Sequence, residues 1–412
     1  MKSFFRCLLA LVLLGQASGL LRAKPIFADT TRSFAVPTLT NTPKGTVALS
    51  WTETDPAGQM AFYWAESADQ GQTFGAKKLI FAGQGIGNSR LMRPKVLFRP
   101  DGSVMAVFAL RGGQPAQADG HHEHGAAPAR SENRGGGRPT DLQIVFCRST
   151  DGGTTWSRPE PVHQDKTPNV VRGFFDAVVL ANGEVGVAYL NDIPGRPHER
   201  DLRFVTSANG TFGAGQVLDP FVCDCCNISL LVDGKGTLHM YYRENTDNIR
   251  DIAHMSSTDH GRTFTKSAIF SVDNWKVNGC PHSGPTSSSG GGATVVAWYS
   301  GTNDAPGIRV ADQAGKRLFV LEDASARNAW LVPTPTASVL LWEQNQMAES
   351  GPLSVIAYRS IQSSKPSATR TVDHSVNGTN ATGLVSGGKL VVAYEVRNAN
   401  NRNSMQVARI DL

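Results

Sequence analysis

Short apolar segments recur along the chain, and each begins after a turn that ends in a small residue. Seven segments share this pattern: GTVALSW from Gly45, GSVMAVF from Gly102, GEVGVAY from Gly183, GTLHMYY from Gly236, ATVVAWY from Ala293, ASVLLWE from Ala337 and GKLVVAY from Gly388. Their apolar runs or alternating positions predict β-strands. Successive segments begin 57, 81, 53, 57, 44 and 51 residues apart. Repeats of about this length, each with four short strands, predict the blades of a β-propeller.

An eight-residue box with the pattern Ser-x-Asp-x-Gly-x-Thr-aromatic occurs three times. It reads SADQGQTF at 67–74, STDGGTTW at 149–156 and STDHGRTF at 257–264, and a shortened version, SANGTF, stands at 207–212. The Asp can accept hydrogen bonds from backbone N–H groups of a turn, and the Gly can take the positive φ that a reversal needs. The aromatic residue can fold back over an apolar surface. Each box is therefore predicted to form a hairpin corner.

Each repeat divides into an inner strand, the strand named above, a third strand that ends at the box position, and an outer strand. The one long interval contains 113–139, which is rich in Gly, Pro and Ala and is predicted to be a flexible loop between two strands of the second unit. The final unit supplies only about three strands, so a strand near Ile26 to Thr31 is expected to complete it and close the ring. The prediction is an all-β, single-domain propeller over 24–412, with seven blades favoured and six as the alternative.

The amino terminus has the layout of a secretory signal peptide. A basic start, MKSFFR, precedes a short apolar run, and Ala17-Ser18-Gly19 offers small residues for cleavage. We therefore expect residues 1–19 to be removed and the mature protein to be periplasmic or secreted, without a membrane span. The formal net charge of +5 falls to +3 without Lys2 and Arg6. The sequence contains no basic run with interleaved aromatic residues, so nothing in it indicates nucleic-acid binding. We expect the protein to be a monomer.

Export changes how the cysteines are interpreted, because five of the six would remain in an oxidising compartment. Four of them and one histidine fall at or near the inner strands of the fourth and fifth units: Cys223, Cys225, Cys226, Cys280 and His282. In a propeller these strands line the central channel, so the two segments could meet at one mouth of it. Disulfide bonds that staple the two blades are one interpretation, and export favours it. A reduced cluster that binds copper(I) or zinc is the other.

Two further sets of metal-ligand side chains have simpler interpretations. Cys147 ends an apolar strand and is predicted to be a buried free thiol. The sequence His121-His122-Glu123-His124 could take up a transition metal weakly, but it is interpreted as part of a solvated loop.

Several charged residues are candidates for an anion-binding site. They are Arg93, Arg172, Asp176, Arg243 and Arg250, of which the first three are predicted to lie on inner strands. An arginine cluster at the channel could bind an anionic sugar or another small carboxylate. The alternative is that each arginine pairs with an acid or the backbone and joins the blades. Candidates for glycoside hydrolysis are weak: Asp55 alone, or Tyr242 with Glu244 on one strand face.

The three boxes at matching places in successive β-units resemble the sialidase superfamily, also called BNR-repeat proteins. This resemblance implies a propeller, usually of six blades, with three arginines that hold the sugar carboxylate, a Tyr nucleophile paired with a Glu, and an Asp acid/base. The first arginine of that family stands in a Phe-Arg-Ile-Pro motif, which corresponds here to Phe34-Ala35-Val36-Pro37. An alanine cannot bind a carboxylate as a guanidinium does, so the usual clamp lacks one member at Ala35.

A narrower resemblance concerns CDCCNISLL from Cys223, YYRENTDNIRDI from Tyr241 and NWKVNGCPHSGP from Asn274. They are similar to a branch of exported BNR proteins with Cys-x-Cys-Cys, Arg-Asp-Ile and Cys-Pro-His elements, a kinship that carries no reaction with it. We expect a glycan-directed protein, either a glycosidase similar to an exo-sialidase or a relative that only binds glycans. The alternatives are a non-enzymatic propeller that binds copper, zinc or a protein partner through the Cys/His cluster, and a purely structural scaffold.

Overall fold

The computed structural model describes residues 27, 29–112, 141–168, 170–196, 198–349, 351–362 and 365–412. These residues form seven antiparallel sheets, which are the blades of a propeller. The first strand of each sheet packs against the first strand of the next, and that of the seventh sheet packs against that of the first. The predictions of an all-β fold and of seven blades are confirmed.

The first four blades contain the strands β1 to β17. Blade 1 has β1 (Ser33–Asn41), β2 (Val47–Thr54), β3 (Met60–Ser67) and β4 (Lys78–Ala82). Blade 2 has β5 (Lys95–Phe98), β6 (Val104–Arg111), β7 (Leu142–Ser149) and β8 (Glu160–Pro161). Blade 3 has β9 (Arg172–Val179), β10 (Val185–Asp192), β11 (Arg200–Ala208), β12 (Thr211–Phe212) and β13 (Gln216–Val222). Blade 4 has β14 (Ser229–Val232), β15 (Leu238–Arg243), β16 (Ile252–Ser257) and β17 (Ala268–Ser271).

The remaining three blades contain β18 to β29. Blade 5 has β18 (Thr286–Gly290), β19 (Ala293–Ser300), β20 (Gly307–Asp312) and β21 (Arg317–Leu321). Blade 6 has β22 (Arg327–Pro333), β23 (Ser338–Ala348), β24 (Gly351–Gln362), β25 (Lys365–Pro366) and β26 (Arg370–Thr371). Blade 7 has β27 (Gly378–Ser386), β28 (Lys389–Arg397) and β29 (Asn403–Asp411). The one helical element within the described ranges is a 3₁₀ turn, Arg90–Met92, before β5. No helix in that part of the chain is long and apolar enough to cross a membrane.

The hydrophobic core lies between neighbouring blades, and this explains the apolar pattern of the second strands. In β2 and β10 every residue but the last is buried, because both faces of the sheet are covered by adjacent blades. Clusters of buried side chains fill each gap between blades; Trp51 of blade 1, for example, packs in one cluster with Leu384 of blade 7. The seven short apolar segments of the sequence are the strands that occupy these positions.

The ring closes differently from the sequence prediction. Of the expected closing strand, Phe27 and 29–31 are described and form turns, whereas Ile26 and Ala28 lie outside the described residues. Phe27 instead packs edge-on against Trp51. Side chains join the first and last blades: the Glu395 carboxylate accepts the Val36 N–H at 2.7 Å, and the Thr382 hydroxyl donates to the Pro37 carbonyl at 3.0 Å. The described residues of this segment form no strand, and blade 7 has three strands. The side-chain contacts that join the two blades have no pattern that a strand search detects.

Each complete box forms the hairpin corner that its residues predict. In the second box the Ser149 hydroxyl accepts the Gly153 N–H at 2.8 Å, and the Asp151 carboxylate accepts the Thr155 N–H at 2.9 Å. The hydrogen bonds from Thr155 hold the pKa of Asp151 well below its usual range. Gly153 has a φ of +79°, and its carbonyl accepts the indole N–H of Trp64 in blade 1 at 3.1 Å. The box therefore also fixes its blade to the preceding one.

Two predictions from the sequence concern the second blade. The predicted loop at 113–139 falls between β6 and β7, and it lies outside the described residues together with His121, His122, Glu123 and His124. Cys147 is a buried free thiol, as expected, and burial raises its pKa to about 12. The predicted signal peptide also lies outside the described residues.

Candidate metal centre and central cavity

The Cys-x-Cys-Cys and Cys-Pro-His segments lie side by side at one mouth of the ring, each just before an inner strand. Cys223–Cys226 precede β14, and Cys280 and His282 precede β18. Asn227 joins the two segments: its side-chain oxygen accepts the Gly284 N–H at 2.9 Å, and its amide donates to the Pro285 carbonyl at 3.1 Å. A Cβ atom at Gly284 would lie 1.9 Å from the Asn227 carbonyl oxygen. Only glycine allows the two segments to come this close.

The sulfur atoms have the spacing of metal ligands. Cys223 Sγ lies 3.8 Å from Cys225 Sγ and 3.5 Å from Cys226 Sγ. Tetrahedral ligands at a metal–sulfur distance of about 2.3 Å are about 3.8 Å apart, whereas bonded sulfurs are about 2.05 Å apart. The side chains of Cys225, Cys280 and His282 form a second set, whose ligand atoms all lie within 4.8 Å of one another. The five described cysteines are free.

The thiols of the cluster differ in acidity. Hydrogen bonding with Cys225 and Cys226 holds the pKa of Cys223 far below its usual value, and the guanidinium groups of Arg243 and Arg250 act in the same direction. Hydrogen bonding to Cys223 raises the pKa of Cys225, and burial raises that of Cys226 to about 12. Cys223 is therefore the most acidic of the three thiols, and it is the one beside the two arginines.

Two buried arginines, Arg243 and Arg250, lie beside Cys223 and have no carboxylate partner among the described residues. Arg243 donates to the carbonyl oxygens of Ser283, Tyr299 and Arg250. Arg250 is 6% exposed, and its Nε and Nη1 atoms have no hydrogen-bond partner. Within the described part of the chain no Asp or Glu forms a salt bridge with either of them. Buried charges are normally paired, so this environment favours additional negative charge on the sulfur cluster.

A cavity of about 180 Å³ lies next to the cluster at the centre of the ring. Residues from blades 2 to 7 line it, and its charged or titratable members are Arg90, Arg93, Lys95, Asp176 and His282. Three of these carry a positive charge and one a negative charge, and the buried carboxylates of Glu343 and Glu395 lie near Arg90 and Arg93. His282 is the one residue that the cavity shares with the two ligand sets.

The cations of the cavity are held by neighbouring groups. Arg93 donates to the carbonyl oxygens of Pro37 at 2.7 Å and Asn380 at 3.3 Å, and burial lowers its pKa to about 10. Arg93 stands two residues before β5, so its predicted place on an inner strand was wrong by two residues. Lys95 forms an ion pair with Asp176 at 2.7 Å, and the other Asp176 oxygen accepts the Leu230 N–H of blade 4 at 2.9 Å. Arg93 and Asp176 thus also join blades.

The structure does not bring the other predicted ligand-binding arginines to the cavity. Arg172 forms an ion pair with Asp165 at 2.8 Å, away from the cavity lining. Arg243 and Arg250 lie beside the cysteines, as described above, and do not line the cavity either.

The weak catalytic candidates lie elsewhere as well. Asp55 accepts the N–H groups of Ala57 and Gln59 in an exposed turn. The Tyr242 hydroxyl donates to Asp219 at 2.6 Å, outside the cavity lining. Burial raises the pKa of Glu244 to about 7. No tyrosine is among the described residues that line the cavity, so the Tyr–Glu pair that the family resemblance implies has no counterpart there.

Sequence reasoning missed several residues of this region. Arg90 and Lys95 flank the segment that contains Arg93, and they could have been found by extending the candidate segment three residues each way. Trp330, whose ring lies 5.4 Å from the Arg93 guanidinium, carries no comparable signal in the sequence. Asn227 directly follows the Cys-x-Cys-Cys element, but its contact with Gly284 depends on a neighbouring blade.

Comparisons with known proteins agree with this architecture. A model for the BNR repeat-like domain matches residues 130–296, whereas no curated protein matches the chain. A protein of unknown function from Dyadobacter fermentans is similar in structure, with a TM-score of 0.54 at 13% identity, covering 94% of this chain and 97% of that one. The intramolecular trans-sialidase from Ruminococcus gnavus has a TM-score of 0.53 at 14% identity, with 93% and 96% covered.

A third similar structure is a Trypanosoma rangeli sialidase, with a TM-score of 0.50 at 14% identity. The alignment covers 91% of this chain and 54% of that one, so the chain spans about half the length of the Trypanosoma enzyme. At such identities the three structures show the fold alone. The chain thus contains a BNR repeat-like domain over residues 130–296, within a seven-bladed β-propeller that has the box at the same corner of blades 1, 2 and 4.

Proposed function

We propose that the protein is a non-enzymatic propeller that binds copper(I) through its Cys/His cluster. The observation that carries this proposal is the set of three buried thiols at metal-ligand spacing, with Cys223 Sγ 3.5 and 3.8 Å from its two neighbours. Thiolates and imidazole are ligands for soft ions. The unpaired charge of Arg250 supports it as well, because a copper(I) ion with three thiolates carries a net negative charge.

Copper(I) is preferred to zinc because of the number of donors in each set. Structural zinc sites take four protein ligands in almost all cases. Here the donors fall into two sets of three, Cys223 with Cys225 and Cys226, and Cys225 with Cys280 and His282. Copper(I) is stable with two or three soft ligands, so either set suits it.

Titration of the reduced protein with copper(I), in competition with a coloured copper(I) chelator, tests this function. We expect at least one equivalent to bind, and the double variant Cys223→Ser/Cys226→Ser to lose the binding. Cys147→Ser is the matched control, since it removes a buried thiol of blade 2 outside the cluster. Titration with zinc in a parallel arm compares the two ions. Equal binding by the double variant and the control contradicts the proposal.

A second measurement addresses the disulfide interpretation. Protein prepared without reductant is assayed for free thiols and for bound metal. We expect bound metal that protects the cluster thiols from alkylation. A single free thiol, with no metal, would show that the four cysteines form disulfides and would overturn the proposal.

A second candidate function is the binding of a small anionic glycan in the central cavity. The observation that favours it is the excess of positive charge among the lining residues Arg90, Arg93, Lys95 and Asp176. Ala35 in the place of an arginine and a lining without tyrosine, among the described residues, argue against hydrolysis. Calorimetric titration with sialic acid tests it: Arg90→Met should abolish any heat of binding, and wild-type protein that gives no heat contradicts it.

A further inference from the structure

The two ligand sets differ in their exposure to solvent. The inner set, Cys223, Cys225 and Cys226, is buried, with 1%, 4% and 2% of each residue exposed. The outer set consists of Cys225, Cys280 and His282, and the last two are exposed. Cys225 belongs to both sets, so an ion that leaves one set is still bound by a ligand of the other.

Phe174 covers part of the inner set. Phe174 packs against the three cysteines, and the Arg200 guanidinium lies 4.9 Å from the centre of its ring. Arg200 is fixed in turn by bonds to the Asp224 carbonyl and the Asp192 carboxylate, both at 2.6 Å. Phe174 and Arg200 thus close off part of the surface around the inner set, whereas Cys280 and His282 of the outer set are exposed to solvent.

The charges beside the two sets have opposite signs. The Asp224 carboxylate lies 3.5 Å from Cys280 Sγ in the outer set. Arg243 and Arg250 stand beside Cys223 in the inner set. A carboxylate attracts an arriving cation, whereas guanidinium groups stabilise the thiolates that retain it.

The outer set is also held in place by the wall of the cavity. His282 has a φ of +48°, which is uncommon for a residue other than glycine, and the Arg90 guanidinium donates to its carbonyl oxygen at 3.0 Å. Cys280 and His282 are thus presented by a fixed backbone at the mouth of the ring.

We infer that copper(I) moves between the buried inner set and soft donors outside the protein through Cys280 and His282, with Cys225 bound throughout. Each step is a ligand exchange, in which a bond from the ion to an incoming thiolate or imidazole forms as an existing one breaks. The charge of the ion does not change, and no oxidant or reductant is needed. The inference rests on the proposed copper(I) binding and assigns the outer set as the point of transfer.

The rate of copper(I) transfer from the loaded protein to a coloured copper(I) chelator tests this inference. We expect the double variant Cys280→Ser/His282→Asn to transfer the ion at least about 10-fold more slowly than the wild type. Its equilibrium affinity for copper(I) should change by less than about 3-fold. His374→Asn is the matched control, because His374 is also exposed and also has a positive φ, +60°. It should leave the rate unchanged.

The two proposals fail in different ways. If the wild-type protein binds no copper(I) at equilibrium, the proposed function is wrong. If it binds copper(I) and the double variant transfers it as fast as the wild type, the function stands and the inference is overturned. A double variant that loses the equilibrium affinity as well would show that Cys280 and His282 belong to the retaining site, which also overturns the inference.

Discussion

The box corner of blade 2 and the cysteine mouth, which consists of Cys223–Cys226 before β14 and Cys280–His282 before β18, differ in how their polar groups are paired. At the corner, Ser149, Asp151 and Thr155 satisfy the hydrogen-bonding groups of their own turn, within seven residues of sequence. At the mouth, two segments more than fifty residues apart meet, and Arg250 keeps two nitrogens without partners. The polar groups of the corner are paired within the corner itself, whereas at the mouth two nitrogens of a buried arginine are left unpaired.

The difference indicates where each kind of residue acts. Corners with the same contacts recur in blades 1 and 4, as expected of elements that stabilise a repeated blade. The thiol cluster occurs once in the described part of the chain, at one contact between blades. The repeated contacts therefore belong to the architecture of the blades, and the thiol cluster is specific to the contact between blades 4 and 5.

The largest expected effect is a loss of copper(I) affinity at the cysteine mouth that leaves the stability of the blades unchanged. Cys225→Ser removes the ligand that both sets share, and we expect the copper(I) affinity to fall by about 100-fold or more. Thermal stability of the metal-free protein should change little, because serine is similar in size and the cluster is small. Chelator competition and calorimetry measure the two quantities. An unchanged affinity would mean that the sets do not depend on Cys225.

The contact between the segments can be broken without touching a ligand. Gly284→Ala places a methyl group against the Asn227 backbone, and we expect a loss of about 2–3 kcal/mol in the free energy of unfolding, together with weaker copper(I) binding. Gly234→Ala is the control, since nothing lies within 4 Å of the added Cβ and its φ is ordinary. Denaturant unfolding of both variants measures the effect. Similar stability for both would contradict the close contact.

Removal of a box hydroxyl should affect only stability. Ser149→Ala and Ser257→Ala each delete a buried hydroxyl that accepts a glycine N–H at 2.8 Å, and each should cost about 1–2 kcal/mol. The copper(I) affinity should be unchanged in both. Unequal costs would show that the corners of blades 2 and 4 are not equivalent, although their contacts are.

The smallest effect is a pH dependence near the mouth. Burial raises the pKa of Glu244 from 4.5 to about 7, so the unfolded chain releases this proton at lower pH than the folded one. The free energy of unfolding should therefore fall as pH rises from about 4.5 to about 7, by on the order of 1 kcal/mol because the group is only partly buried. Glu244→Gln should remove this part of the slope in urea unfolding of the metal-free protein. A variant with the wild-type slope would assign the effect to another group.

The sequence was sufficient for the fold because its signals are local. A box such as STDGGTTW specifies a turn by its own side chains, and the spacing of the apolar segments counts the blades. The closure of the ring was not predictable in the same way, since Glu395 binds the Val36 N–H from the far end of the chain. The candidate site was predictable in part. Sequence motifs identified Cys223 and His282, but the positions of Arg90 and Phe174 depend on neighbouring blades.

Among the described residues every blade is built from one stretch of sequence, and side chains join the first blade to the last. In a ring with a shared closing strand, the natural termini must stay where they are, because moving them would divide a sheet between two ends. Here the order of blades around the circle is independent of where the polypeptide begins. A circularly permuted chain that starts at another blade boundary should therefore build the same ring, with the seam at Glu395 becoming one more junction between consecutive blades.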